Sequence, residues 1–156
     1  MNDDDYKVFK AFTDAFHESV ASMTGLAVKR LEPNVSSEAE GKDFIITTGY
    51  KGLVNGNCLI FSSAASVLRL YEKYLGEKPE ALDESVLDGM KELAGIINGA
   101  ASGKEQALKL QFTPSIALLG EGVETHKSAK SIGVAVSYLV DQCGVFTVEV
   151  HQGKSA

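Results

Sequence analysis

The chain has 156 residues, a length that favours one domain with a core large enough to need neither metal nor disulfide. It is 44% hydrophobic and 23% charged, ordinary for a soluble globular protein, and its net charge of −6 argues against nonspecific binding to nucleic acid or an anionic membrane. The opening MNDDDYK lacks the layout of a signal peptide and no apolar run approaches the ~18 residues of a membrane span, so the cytoplasm is the expected location.

Residues 3–24 read as a helix. Phe9, Phe12, Phe16, Val20 and Met23 recur at helical spacing, Asp3, Asp4 and Asp5 suit the positive end of its dipole, and Gly25 stops it. Leu26 to Glu32 is a strand candidate, and Pro33 to Lys42 is a polar loop. Phe44 to Tyr50 and Val54 to Ser62 are strand candidates joined by a tight hairpin at Lys51-Gly52. Ser62 or Ser63 caps a helix over Ala64 to Leu75, which Gly76 closes. Asp83 or Glu84 opens a long helix running to about Ala107. Leu108 to Leu119, Ile132 to Val140 and Val145 to His151 then read as three strands, with turns at Gly120-Glu121-Gly122 and Cys143-Gly144. Residues 153–156 form a small polar tail expected to fray. The order of helix, strands, two helices and strands predicts a single α+β domain over 1–156, with helices laid on a mostly antiparallel sheet.

Several chemistries find no support. No glycine-rich loop with a following Lys-Ser or Lys-Thr offers a phosphate cradle. His17, His126 and His151 are scattered, without HExxH spacing or a neighbouring cysteine, so no metal site is expected. His17 reads as a solvated or partly packed histidine on a helix flank. There is no GxSxG elbow. Cys58 and Cys143 lie far apart in apolar, strand-like segments and read as buried free thiols of a reducing compartment. The aromatics fall at core spacing rather than on a stacking platform.

The long helix is the most informative stretch. On a wheel of about 100° per residue, Val86, Met90, Leu93 and Ile97 share one sector that must face a core. Asp88, Glu92, Gly95 and Gly99 share the opposite side, acidic at one end and bare backbone at the other. From the pattern alone this is either an ordinary solvated face or a ridge where a partner docks, with Glu92 accepting from a lysine or arginine. The helix also holds Gly89 and Gly103, and each glycine in a helix interior costs about 1 kcal/mol relative to alanine. Such losses point to close approach of backbone, either by another helix of the same chain or by a partner.

These features together resemble the CheX branch of the CheC, CheX and FliM/FliY superfamily. The glycine-punctuated hairpin Gly49 to Gly56, followed by apolar Cys58 to Phe61, is similar to the family's central strands. Leu82-Asp83-Glu84 opening a helix, then Asp88, Glu92-Leu93 and Gly99, resembles the signature helix, and Phe112-Thr113-Pro114-Ser115 resembles the Thr-Pro turn after it. The family signature runs Asp or Ser, Glu one turn on, Asn just under a turn later, then a downstream proline. Asp88, Glu92 and Pro114 fit it, but Gly95 stands at the Asn position.

The resemblance implies a CheC/CheX-like α+β fold, edge-strand homodimerisation and a phosphorylated response-regulator receiver domain as partner. It implies no cofactor on this chain, because the receiver carries the acyl phosphate and Mg²⁺. The family's Glu pairs with a receiver lysine and its Asn amide orients the attacking water. Positioning a water is much of the catalysis that an aspartyl phosphate needs. Glu92 takes the Glu role, and the candidate catalytic pair is Glu92 with Asn98. Asn98, however, lies about 120° from Glu92 on a regular helix. Asp88, Glu92, Gly95 and Gly99 are the candidate partner-binding residues. Three functions stay open: a phosphatase of a response regulator, a module that binds the receiver without hydrolysis, and a structural relative of flagellar-switch middle domains.

Overall fold

The structure is a computed structural model that describes residues 2–32, 43–119 and 133–153. The expected loop at Pro33 to Lys42, the turn at Gly120-Glu121-Gly122 and the end of the tail lie outside the described residues.

Helix α1 (Asp3–Thr24) starts where the Asn2 side chain accepts from Asp5 N, and it stops at Gly25 with φ 71°. Strand β1 (Val28–Arg30) follows, then the hairpin β2 (Phe44–Lys51) and β3 (Asn55–Ser62). Helix α2 (Ala64–Leu75) is capped by Ser63 and closed by Gly76 at φ 78°. Helix α3 (Glu84–Lys104) is capped by Asp83, whose side chain accepts from Val86 N. A 3₁₀ turn (Gln106–Leu108), β4 (Gln111–Phe112), β5 (Ile116–Leu119), β6 (Gly133–Val140) and β7 (Gly144–Gln152) complete the described chain.

The strands make one sheet in the order β1-β6-β7-β3-β2, with β4 and β5 both pairing along the free side of β2. Every pairing among the described residues is antiparallel. Alternation then sorts the side chains. Phe44, Ile46, Tyr50, Cys58, Val136, Tyr138, Phe146, Val148 and Val150 join the main core beneath the helices. Ile45, Leu59 and Phe61 form a smaller buried cluster of their own. Helix α1 lies across this layer, with Phe12 against Tyr50 and Phe112, and Phe16 against Tyr138 and Phe146. Burying each such ring contributes about 1.5–3 kcal/mol. The Tyr138 hydroxyl keeps its hydrogen bond by donating to the Thr13 carbonyl at 3.1 Å.

Several boundaries differ from the sequence expectation, and β1 is shorter than the Leu26–Glu32 candidate. Glu105, at φ −133° and ψ 60°, has left the helical region, so α3 ends at Lys104 rather than near Ala107. Leu108 to Leu119 is not one strand. Lys109 has φ 54° and Pro114 lacks a backbone donor, so only residues 111–112 and 116–119 pair with β2. The hairpin turn spans residues 52–54, because Lys51 pairs with Asn55. Cys58 and Cys143 are both buried and free, and burial pushes the Cys58 thiol pKa up.

The glycines of α3 fall into two groups. A β-carbon on Gly89 would meet the Tyr71 ring at 2.8 Å and Leu75 Cδ1 at 3.2 Å, so its absence lets α2 sit close on α3. Gly95, Gly99 and Gly103 would meet nothing within 4 Å. We therefore expect Gly99→Ala and Gly103→Ala each to raise unfolding free energy by about 0.5–1 kcal/mol. Gly89→Ala should lower it. Urea titrations of the three variants check this, and a stabilised Gly89→Ala would show that the α2–α3 contact is loose.

Asp5 sets a second expectation. It is 3% exposed, and neither carboxylate oxygen has a hydrogen-bond partner among the described residues. Its place in the first turn of α1 is worth about 0.3–1 kcal/mol with the helix dipole. An unpaired buried carboxylate costs several kcal/mol, and that larger cost decides the sign. Asp5→Asn should raise the thermal midpoint, by about 1–2 kcal/mol in stability. A lower midpoint in calorimetry would mean that Asp5 has a compensating interaction in solution.

Candidate functional site

The packing of α3 orients the candidate site. Val86, Met90, Leu93 and Ile97 are all buried, and Ala94 and Ala101 fill the space between them. Met90, Leu93, Ala94 and Ile97 surround a small apolar cavity together with Phe16 of α1, Ile46 of β2 and Phe146 of β7. This inner row meets both the sheet and α1, so the helix cannot roll. The opposite row, Asp88, Glu92, Gly95 and Gly99, is exposed along its whole length.

Glu92 is not a bare solvated acid. Its Oε1 accepts a hydrogen bond from the Tyr74 hydroxyl at 3.0 Å. Tyr74 lies near the end of α2 and packs half-buried against the core. Desolvation first, and then the hydrogen bond and charge of Glu92, push the Tyr74 phenol pKa up. Glu92 makes no ion pair among the described residues. One carboxylate oxygen and the remaining lone pairs of the other face outward, available to a cationic partner.

Gly95 is the position where the family's amide is missing. The space above it is open, so an asparagine fits there without a clash. Asn98, the other candidate, is placed elsewhere on the helix. It is 7% exposed and turned toward the sheet, where its Nδ2 donates to Thr48 Oγ1 at 3.5 Å. The Thr48 hydroxyl in turn shares a 2.8 Å hydrogen bond with Ser115. Asn98 therefore faces β2 and the Thr-Pro turn, about 120° around the helix from Glu92.

The Thr-Pro turn is bound to the same strand. Gly49 N donates to Thr113 Oγ1 at 2.8 Å, and Thr113 N donates back to the Gly49 carbonyl at 2.9 Å. A β-carbon at Gly49 would lie 3.0 Å from Thr113 Oγ1, which is why this strand position is bare. The signature helix and the Thr-Pro turn are thus parts of one bonded unit, although far apart in sequence. Pro114 itself is exposed between β4 and β5.

Sequence reasoning did not find Tyr74, Thr48 or Ser115. Tyr74 reads as one more aromatic at helical spacing, and nothing local ties it to Glu92. His126 lies outside the described residues. His17 packs edge-on against Tyr138, and His151 lies within 2.5 Å of Glu149 on β7. Among the described residues no group of three or more His, Cys, Asp or Glu is placed to hold a metal ion, and no helix is long and apolar enough to cross a membrane.

Comparison with known proteins gives the family and the fold. The family of chemotaxis phosphatase CheX matches residues 44–137, from the start of β2 into β6. No curated protein matches the chain. The chain is similar to the chemotaxis protein CheX of Vibrio vulnificus, with 19% identity, a TM-score of 0.80 and coverage of 94% of this chain and 96% of that one. It is similar to the CheX of Borrelia burgdorferi, solved in complex with CheY, BeF₃ and Mg²⁺. There the identity is 18%, the TM-score 0.77 and the coverage 94% and 97%. The fold also resembles FliY of Thermotoga maritima, at 12% identity, a TM-score of 0.71 and coverage of 98% and 92%. With more than half of its length matched, including all of the signature helix α3 and the turn bonded to it, the chain belongs to the CheX family of chemotaxis phosphatases.

Proposed function

We propose that this protein docks the outer row of α3 on the phosphorylated receiver domain of a CheY-type response regulator, with aspartyl-phosphate phosphatase activity weakened or lost. The observation that carries the proposal is the pairing of an exposed Glu92 with a bare Gly95 on one ridge. The CheX of Borrelia burgdorferi was solved bound to CheY, and this chain shares its fold. In the proposed complex Glu92 meets a receiver lysine, and Asp88, Gly95 and Gly99 complete the contact. The acyl phosphate and Mg²⁺ belong to the receiver, so this chain brings no cofactor.

Hydrolysis needs a water aimed at the phosphorus, in line with the leaving aspartate. An amide can hold that water by accepting one of its hydrogens, without itself changing protonation state. Glycine has no such group, and Asn98 is committed to Thr48. What remains is recognition, together with whatever turnover the receiver achieves by itself. A receiver partner also places the protein in the cytoplasm. The alternative, which the missing amide favours, is a non-catalytic binding or structural module related to flagellar-switch middle domains.

Phosphate release and binding separate these functions. Glu92→Ala should weaken binding to a beryllofluoride-activated CheY-type receiver about tenfold, the weight of one charge-assisted hydrogen bond. Gly95→Asn should raise the dephosphorylation rate about tenfold or more, because it restores a positioning group. Wild-type protein that is already fast, and insensitive to Glu92→Ala, would sink the proposal.

We also infer self-association through β5. Ile116 is 57% exposed, Leu118 and Leu119 are exposed beside it, and β5 pairs only with β2 among the described strands. An apolar edge of this kind is a template for pairing with a second copy. Sedimentation should show a dimer that Ile116→Lys dissociates. A wild-type monomer across the concentration range of the binding assay would refute it.

A further inference from the structure

We propose that Tyr74 is a positioning residue for partner recognition, and that the docking element is the Tyr74–Glu92 pair rather than Glu92 alone. The inference rests on the proposed contact between Glu92 and a receiver cation. Its geometric basis is the 3.0 Å hydrogen bond from the Tyr74 hydroxyl to Glu92 Oε1.

An exposed glutamate on a helix samples many rotamers, and ordering it on binding costs conformational entropy. Tyr74 removes much of that freedom beforehand. Its ring is anchored by packing against the core at the end of α2. The close seating of α2 on α3, which the bare Gly89 permits beneath Tyr71, brings the hydroxyl within reach of Glu92. The phenol occupies one lone-pair site of the carboxylate and leaves the others for an ammonium or guanidinium group. A neutral donor does this without cancelling the charge. A lysine in place of Tyr74 would satisfy the carboxylate and compete with the partner.

Three other features of the described structure lack such a link. The apolar cavity beneath α3 is small and has no polar group aimed into it. The buried Asp5 belongs to no group of three or more His, Cys, Asp or Glu. The Glu149–His151 contact has further partners around it. Only the Tyr74–Glu92 pair joins an exposed functional side chain to a neighbour fixed by the core.

The test measures binding of a beryllofluoride-activated, Mg²⁺-loaded CheY-type receiver to wild type, Tyr74→Phe, Glu92→Gln and the double variant. Tyr74→Phe should weaken binding about fivefold, and the loss should vanish in the Glu92→Gln background. Carbon-13 tyrosine NMR of the free protein supplies a readout without a partner. The Tyr74 titration should shift to lower pH in Glu92→Gln, because the phenolate no longer forms beside a carboxylate. Tyr74→Phe binding that is unchanged or tighter, with Glu92→Gln still weak, overturns the positioning role and leaves Glu92 docking intact. Binding insensitive to Glu92→Gln overturns both.

Discussion

The rotation of α3 about its own axis decides everything the candidate site can do. A helix turned by one residue swings its side chains by about 100°, enough to take Glu92 from the surface into the core. The turn is fixed by the inner row of Val86, Met90, Leu93 and Ile97, all buried against the sheet and α1. Removing one of these side chains leaves a cavity worth about 2–5 kcal/mol. No surface interaction in the structure competes with that. The exposed outer row is therefore a consequence of the core, and the carboxylate of Glu92 is as well placed as the packing beneath it.

Polar contacts refine what packing begins. The Asp83 cap sets where the helix starts, and Asn98 ties its middle to Thr48 and Ser115. Those two hydroxyls sit on β2 and just beyond Pro114, so the signature turn supports the signature helix from behind. In this arrangement the proline segment need not touch a partner at all. Its contribution is to hold β2 and α3 in register through a short chain of hydroxyl and amide groups. Such a network has value because its members are satisfied by one another.

Much of this was legible before the structure. Caps and stops depend on residues a few positions apart, and Ser63, Asp83, Gly25 and Gly76 mark the helices closely. Wheel arithmetic likewise separates Asn98 from Glu92, because helical geometry is local. The reading of residues 108–119 as one strand failed for an equally physical reason. Its apolar content is real, but Lys109 at positive φ and Pro114 divide it, and propensity averaged over the segment hides both. Tyr74 was out of reach for a different reason. Its hydrogen bond spans two helices, and their crossing depends on a glycine that pattern alone reads equally well as a partner contact. Of the glycines in α3, Gly89 takes the intrachain explanation, whereas Gly95, Gly99 and Gly103 do not.

Those three open glycines sharpen the functional argument. Internal packing does not require them, and each costs about 1 kcal/mol of helix stability relative to alanine. At position 95 the open space above the helix leaves room for an asparagine, so Gly95→Asn can add an amide to the ridge without disturbing the packing that aims it. The buried inner row would hold such a side chain beside Glu92, less than one turn away, because the helix that carries both cannot roll.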